Sequence, residues 1–363
     1  MRVGVPKEIK NHEYRVGLTP GAVREYTAHG HEVVVESGAG AGIGADDAVY
    51  RAAGAQIAEN AAEVFATAGM IVKVKEPQAA EWAQLREGQI LFTYLHLAPD
   101  PDQARGLLAS GCTAVAYETV TDAQGHLPLL APMSEVAGRL SIEAAGAALK
   151  APAGGRGLLL GGVPGVAAAR VVVLGGGVVG THAARMAAGL GAEVTIVDRS
   201  IPRLRELDEL FGGRVRTRVS TIAAIEAEIA DADVVIGAVL VPGAAAPKLV
   251  TRPMLKLMKP RSVLVDVAID QGGAFETSHP TTHADPTYEV DGVIHYCVAN
   301  MPGAVPLTSS EALNNATLPF GLRLAAGGYD AIGGDAGLTA GLNVHQGRIV
   351  NPTVAESLGF DRA

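Results

Sequence analysis

Four side chains of this sequence join charge or a titratable ring to places where a chain presents ligands. Arg15 lies in KNHEYRVGLTP, just after the first apolar run, and its planar fork of donors suits a carboxylate. Lys75 closes MIVKVKEP, where alternation puts it on one face with Lys73, opposite Val72 and Val74. His96 closes QILFTYLH, and an imidazole that titrates near pH ~6.5 can serve as acid and base at neutral pH. Asp270 closes SVLVDVAID, immediately before Gln271, Gly272 and Gly273, whereas Asp266 inside that run reads as structural. Each of the first three also has a plain reading: a surface arginine, a solvated edge strand, a histidine satisfied by its neighbours. What unites the four is place. All are expected at or just past the C-terminal ends of strands, where open parallel sheets bind their ligands.

A fifth pattern is made of glycine. RVVVLGGGVVG contains G-x-G-x-x-G at Gly175, Gly177 and Gly180, but with 45 glycines in 363 residues the bare pattern decides nothing. Its flanks do: Val171 to Leu174 reads as a buried parallel strand, and THAARMAAGLG reads as the helix that follows. On such a turn Gly175 allows the tight bend, Gly177 lets a pyrophosphate approach the backbone, and Gly180 lets helix and strand pack closely. Asp198 then closes AEVTIVD. A carboxylate there accepts the ribose hydroxyls and repels a 2′-phosphate, which favours NAD over NADP.

These residues need a scaffold. Over the first 130 residues, short apolar runs (RVGVP, HEVVVES, MIVKVKEP, QILFTYLH, CTAVAYE) alternate with helical stretches, as in a parallel sheet covered on both faces. A turn at Asp122 to His126 marks a boundary, after which a helix runs from Ser134 to Lys150 and a Gly- and Pro-rich loop leads to the fingerprint. RVVVL, AEVTIVD, VRTRVS, DVVIGAVL, SVLVDVAID and IHYCVANM supply six strands, expected in the order 3-2-1-4-5-6. From Thr308 the pattern returns to helix with no further strand, so the tail is expected to pack back on the first domain. The fold class predicted is α/β, with two doubly wound parallel-sheet, Rossmann-like domains and a cleft between them. Residues 1–128 plus 306–363 would form the substrate and catalytic domain, and 129–305 the NAD-binding domain.

Composition narrows the partners. A net charge of −9 without a basic run argues against nucleic acid and anionic membranes, which need clustered Lys or Arg. Charged residues through the first fifteen positions leave no signal-peptide core, and the most apolar stretch is cut by Arg170 and glycine, so a cytoplasmic protein with small-molecule substrates is expected. Cys112 and Cys297 have no C-x-x-C spacing and no histidine cluster, which reads as two buried thiols in a reducing compartment.

The chain resembles the alanine dehydrogenase family from Met1 to about Gly359. The likeness is carried by MRVGVPKEIKNHEYRVGLTP, VKVKEP, LFTYLHLA, LPLLAPMSEVAGRLS, VVVLGGGVVG, LVDVAIDQGG and HYCVANMPGAVP. It implies NAD-dependent deamination of L-alanine to pyruvate and ammonia, the reverse amination, and a homohexamer. It implies Arg15 and Lys75 as substrate ligands, His96 and Asp270 as acid/base groups, and Asn300 at the junction of substrate and nicotinamide. NAD contacts are implied at Ser134, Val178, Val179, Asp198, Arg203, Ser220, Val239, Leu240, Val267, Ala268, Ile269, Asp270, Val298, Ala299, Asn300 and Met301. Two positions depart from the pattern. His279 stands where relatives can carry a cofactor-touching arginine, and Arg323 and Gly327 stand where some members place an acid and a histidine around a divalent ion, so no metal is expected. The nucleotide-binding part of a proton-translocating transhydrogenase, a saccharopine dehydrogenase and a non-enzymatic NAD sensor are the alternatives. The carboxylate clamp of Arg15 and Lys75 with His96 speaks for the dehydrogenase.

Overall fold

β-branched runs flanked by glycine and polar turns become strands in the computed structural model, which describes residues 1–239 and 246–359. The first part of the chain gives β1 (Arg2–Val5), β2 (Glu32–Glu36), β3 (Gln56–Ala58), β4 (Met70–Val72), β5 (Ile90–Thr93) and β6 (Thr113–Ala116). The middle gives β7 (Arg170–Leu174), β8 (Glu193–Asp198), β9 (Val215–Val219), β10 (Val234–Gly237), β11 (Val263–Asp266), β12 (Thr287–Val290) and β13 (Val293–Tyr296), and the last part β14 (Leu342–His345) and β15 (Arg348–Ile349). Two compact units result: residues 1–133 with 303–363, and residues 134–302.

The first unit holds one sheet in the order β15-β14-β6-β5-β4-β1-β2-β3. β1 to β6 pair in parallel, whereas β14 lies antiparallel to β6 and β15 antiparallel to β14. The tail therefore contains strands that the sequence pattern did not predict. They are only four and two residues long. Gln346 (φ 46°) and Gly347 (φ 73°) form the turn between them, and two successive residues at positive φ are what a tight hairpin needs. One face of this sheet buries Val34, Ile71, Leu91 and Ala114 with Val64, Phe65 and Leu107 from helices and Val344 and Ile349 from the hairpin.

The second unit holds a sheet in the order β12-β13-β11-β10-β7-β8-β9, parallel except for β12 against β13. Its six parallel strands follow the expected 3-2-1-4-5-6 order, and β12 adds an antiparallel edge that the sequence reading lacked. Period two explains the continuous apolar runs. Val171, Val173, Ile196 and Ile236 face a core with Ile142, Ala183 and Ala187, while Val172, Leu174, Val197 and Leu264 face another with Ile225, Ile229 and Leu255. Both cysteines are buried and unbridged. Among the described residues no helix is long and apolar enough to cross a membrane.

Candidate active site

Arg15 sits in the loop after β1, and helix Pro306–Gly327 fixes that loop. The Val16 amide donates to Ser310 Oγ (3.2 Å), the Thr19 amide to Asn314 Oδ1 (2.8 Å), and Asn314 Nδ2 donates to Gly17 O (3.0 Å). Gly17 is needed there, because a Cβ would run into Val72 O at the end of β4. Arg15 is 2% exposed, so it is not a surface arginine. Its Nε donates to Glu13 Oε1 (2.7 Å), its Nη2 to Glu13 Oε2 (2.5 Å), and its Nη1 lies 3.0 Å from Met133 Sδ. A buried two-point pair of this kind fixes the plane of the guanidinium.

β4 lies inside the sheet, between β5 and β1, so the two lysines do not mark an edge strand. Both lie beyond its last residue. Lys73 is fully buried, with Nζ 3.1 Å from Glu8 Oε2 and 2.6 Å from Glu81 Oε1. Burial alone would favour the neutral amine, but the two carboxylates hold the Lys73 pKa above its ordinary value. Lys75 is nearly buried, its carbonyl accepts from Thr93 Oγ1 (3.0 Å), and its Nζ lies 4.0 Å from Glu76 Oε2. Glu76 also pairs with Lys10. Burial would raise the Glu76 carboxyl, yet Lys75 and Lys10 hold it below its usual range.

His96 lies three residues past the end of β5, at φ 47°. The ladder stops because the Glu118 carboxylate takes the amides: it accepts from His96 N (2.6 Å) and Leu95 N (3.2 Å), and its Oε1 stands 3.9 Å from His96 Nδ1. The imidazole is 42% exposed and stacks on Tyr94 (centroids 5.7 Å apart, planes 6° apart), whose hydroxyl donates to Leu129 O (2.6 Å). Burial raises the Tyr94 phenol, so it stays neutral. His96 is within electrostatic reach of Glu76, and Tyr94 within reach of Arg15. Arg15, Lys75 and His96 thus belong to one charged cluster of the first unit. Its supporting carboxylates Glu8, Glu76, Glu81 and Glu118 carry no spacing that marks them in the sequence, whereas Glu13 stands two positions before Arg15 in an irregular segment.

In the second unit the fingerprint glycines meet three different demands. Gly175 (φ 106°) would place a Cβ 2.7 Å from Ala238 O, and Gly180 would drive one into Gly175 O. Gly177 is exposed, caps helix Val178–Gly189, and has nothing within 4 Å of its Cβ position, which leaves the helix N-terminus open to an anion. Asp198 is half-buried, with Oδ2 accepting from Gly176 N (2.7 Å) and Oδ1 from Ser200 N (2.8 Å). Arg203 Nε donates to Gly176 O (2.7 Å) and its Nη2 to Thr181 Oγ1 (2.9 Å), bracing the same turn. These residues fit a dinucleotide: a cradle without side chains, a helix N-terminus and a carboxylate beside it.

The other positions expected to contact the cofactor lie within this unit. Ser134, Val179, Ser220, Val239 and Val267 are half-buried and Val178 is exposed. Ser134 lies on helix Ala131–Ala148, which approaches the fingerprint helix so closely that a Cβ at Gly138 would strike Val179 O. The Ser220 amide donates to Asp198 O (2.9 Å) and the Val267 amide to Gly237 O (3.0 Å). Ala268, Ile269, Val298 and Met301 are buried, and Ala299 and Asn300 half-buried, with Asn300 at φ 59°. Leu240 lies outside the described residues. Asp270 is exposed in the turn Ile269–Gln271, past the end of β11 rather than in it. The strand ends at Asp266, whose buried carboxylate accepts from the amides of Ala268 (3.1 Å) and Ala274 (2.9 Å) and from Ser278 Oγ, and so ties down the loop that carries Asp270. His279 packs its ring on Tyr288, with centroids 3.6 Å apart. Arg323 pairs with Asp335 at 2.9 Å, and among the described residues no group of three or more His, Cys, Asp or Glu is placed to hold a metal ion.

Comparison with known proteins sets this geometry in a family. The family described as alanine dehydrogenase/PNT, N-terminal domain, matches residues 4–137, and its C-terminal domain matches residues 141–352. The chain belongs to the alanine dehydrogenase/PNT family. Within that family it is 60% identical to the alanine dehydrogenase of Halomonas elongata over 362 residues, covering 99% of this chain and 98% of that protein. It is 53% identical to the alanine dehydrogenase of Bacillus subtilis, covering 99% of this chain and 96% of that protein. A solved structure of L-alanine dehydrogenase superposes with a TM-score of 0.96 at 52% identity, with 99% of each chain covered. The transhydrogenase of Sinorhizobium meliloti superposes with a TM-score of 0.84 at 28% identity, covering 96% of this chain and 100% of that one.

Proposed function

We propose that this family member is an NAD-dependent L-alanine dehydrogenase, which converts L-alanine and water to pyruvate and ammonia and runs the reverse amination. The observation that carries the reading is the cluster of Arg15, Lys75 and His96: two nearly buried cations and a half-exposed imidazole in one unit. A small amino acid presents one carboxylate to such a pair. The likeness to proteins named alanine dehydrogenase, at 53% to 60% identity, supports it over the 28% likeness to a transhydrogenase.

Arg15 and Lys75 hold the carboxylate, and Glu13 and Glu76 keep the two cations in place. Gly175, Gly177 and Gly180 would receive the pyrophosphate of NAD, Asp198 the ribose hydroxyls, and Arg203 brace the turn, with the remaining cofactor positions at the strand ends around them. The cofactor, when bound, supplies the hydride acceptor. His96 accepts the proton of the water that adds to the substrate's imine carbon and returns it as ammonia leaves, and by resemblance to the family Asp270 is the second acid/base group. Asn300 orients the substrate. By resemblance to the family we propose a cytoplasmic homohexamer without a metal ion, a state that solution mass and metal analysis would read directly.

The test is NADH formation from L-alanine, with NADP and thio-NAD as alternative acceptors. His96→Ala and Asp270→Asn should each lower kcat by about a hundredfold or more, the usual worth of general acid/base catalysis, and His96→Ala should leave NADH binding within about twofold of wild type. Near-full activity in either variant removes that residue from the mechanism.

A further inference from the structure

Lys73 is a buried ammonium for which the reaction has no use. It lies in the segment that carries Lys75, two residues before it, yet it points at Glu8 and Glu81. Taking one ammonium and two carboxylates out of water is costly, and at 0%, 2% and 3% exposure these side chains have only each other and two backbone amides to offset it. Such an arrangement is poor evidence for stability, because apolar side chains of similar size commonly serve as well. It is better evidence for a fixed geometry. Glu8 opens the loop that leads to Arg15, and its two oxygens take different partners: Oε2 meets Lys73 Nζ (3.1 Å) and Oε1 accepts the Val74 amide (2.7 Å). Glu81 holds Lys73 from the other side and accepts the Gln78 amide (2.8 Å). Gly17 presses the far end of the same loop onto Val72 O. The loop bearing one carboxylate ligand is thus fastened at both ends to the segment bearing the other.

We propose that Lys73, through Glu8, is a positioning residue that sets the spacing of Arg15 and Lys75, and so the enzyme's affinity for the substrate carboxylate. The inference rests on the reading of Arg15 and Lys75 as substrate ligands. It separates Lys73 from a residue that merely stabilises the fold. Loss of a stabiliser lowers the melting temperature and the fraction of active protein, but each folded molecule keeps its KM. Loss of the fastening raises KM for L-alanine and leaves KM for NAD where it was, because the fingerprint lies in the other unit.

Glu8→Ala is the variant of choice, since it cuts the loop from Lys73 while Glu81 still pairs the ammonium. The expected result in the purified full-length protein is a KM for L-alanine raised about tenfold or more, a KM for NAD within about twofold of wild type, and part of the loss restored by Glu8→Asp. A folded Glu8→Ala protein with a KM for L-alanine within about twofold of wild type overturns the proposal. Should Glu8→Ala fail to fold, Glu8→Gln keeps the shape, removes the charge and leaves one acceptor where Lys73 and the Val74 amide now have two. Its KM for L-alanine should rise about threefold or more, and an unchanged value overturns the proposal equally. A wild-type protein that does not oxidise L-alanine defeats the functional reading itself, whereas an active wild type with an unchanged Glu8 variant defeats only the fastening.

Discussion

Arg15 and Lys75 are set in a lattice of carboxylates: Glu13 against the guanidinium, Glu76 between Lys10 and Lys75, Glu8 and Glu81 around Lys73. The cations were legible in the sequence because a positive group near a predicted strand end suggests an anion site. Their partners were not, since sequence does not say which of 38 acidic residues are taken out of water. Glu76 gives the lattice a pH signature. Burial would raise its carboxyl, but Lys75 and Lys10 hold the folded-state pKa below the ordinary value. Below the unfolded pKa of about 4.3 the unfolded chain binds this proton first, so the pair's contribution is present at neutral pH and is lost as pH falls through the folded pKa. Glu76→Gln should therefore be less stable than wild type at pH 7, and the gap should close in acid. Urea unfolding of both proteins from pH 7 down to pH 3 reads this directly, and a gap that stays constant with pH would remove the ion pair from the account.

Among elements, the turn from β7 to helix Val178–Gly189 shows how backbone shape prepares a site. Gly180 lies so close to the carbonyl of Gly175 that a methyl group has no room. Gly180→Ala should push the helix N-terminus off the strand, costing about 1–3 kcal/mol by overpacking and raising KM for NAD more than KM for L-alanine. Thermal melting together with initial rates checks it, and a variant that melts and binds NAD as wild type does would show that the close approach is not required. This element could be read in advance because strand, glycines, helix and acid occur in one short segment. So could the order of the six parallel strands, since both of their faces are buried and their runs are continuously apolar. The ends of the elements could not. β5 was expected to reach His96 and β11 to reach Asp270, but the Glu118 and Asp266 side chains capture the backbone amides that would have continued the ladders. Both predicted acid/base residues consequently stand past the strand ends, His96 in irregular chain and Asp270 in the turn Ile269–Gln271. The hairpin of β14 and β15 and the edge strand β12 were missed for another reason. They are short, and pairing with β6 and β13 in the folded chain, rather than any local pattern, makes them strands.

The molecule as a whole is asymmetric in how its two units are encoded. Residues 134–302 are contiguous, and every strand of their sheet comes from within that span. The other unit is split: β14 must pair with β6 across more than two hundred intervening residues, and Ser310 and Asn314 must reach the Arg15 loop. Closing so large a loop costs chain entropy that only native packing returns, so the first sheet cannot finish before the last residues of the chain have been made. A fragment of residues 131–302, begun early enough to keep helix Ala131–Ala148 whole, should be soluble and should unfold in one cooperative urea transition. A fragment of residues 1–130 should not: without β14 the edge of β6 is bare, and Val344 and Ile349 are missing from its core. Producing residues 303–363 in the same cell should restore solubility to the first fragment, because the missing strands and the helix that pins Arg15 arrive together. Circular dichroism and sedimentation of the three preparations decide it. An unfolded middle fragment, or a stable one made of residues 1–130 alone, would mean that the division of the chain into units is not a division of its folding.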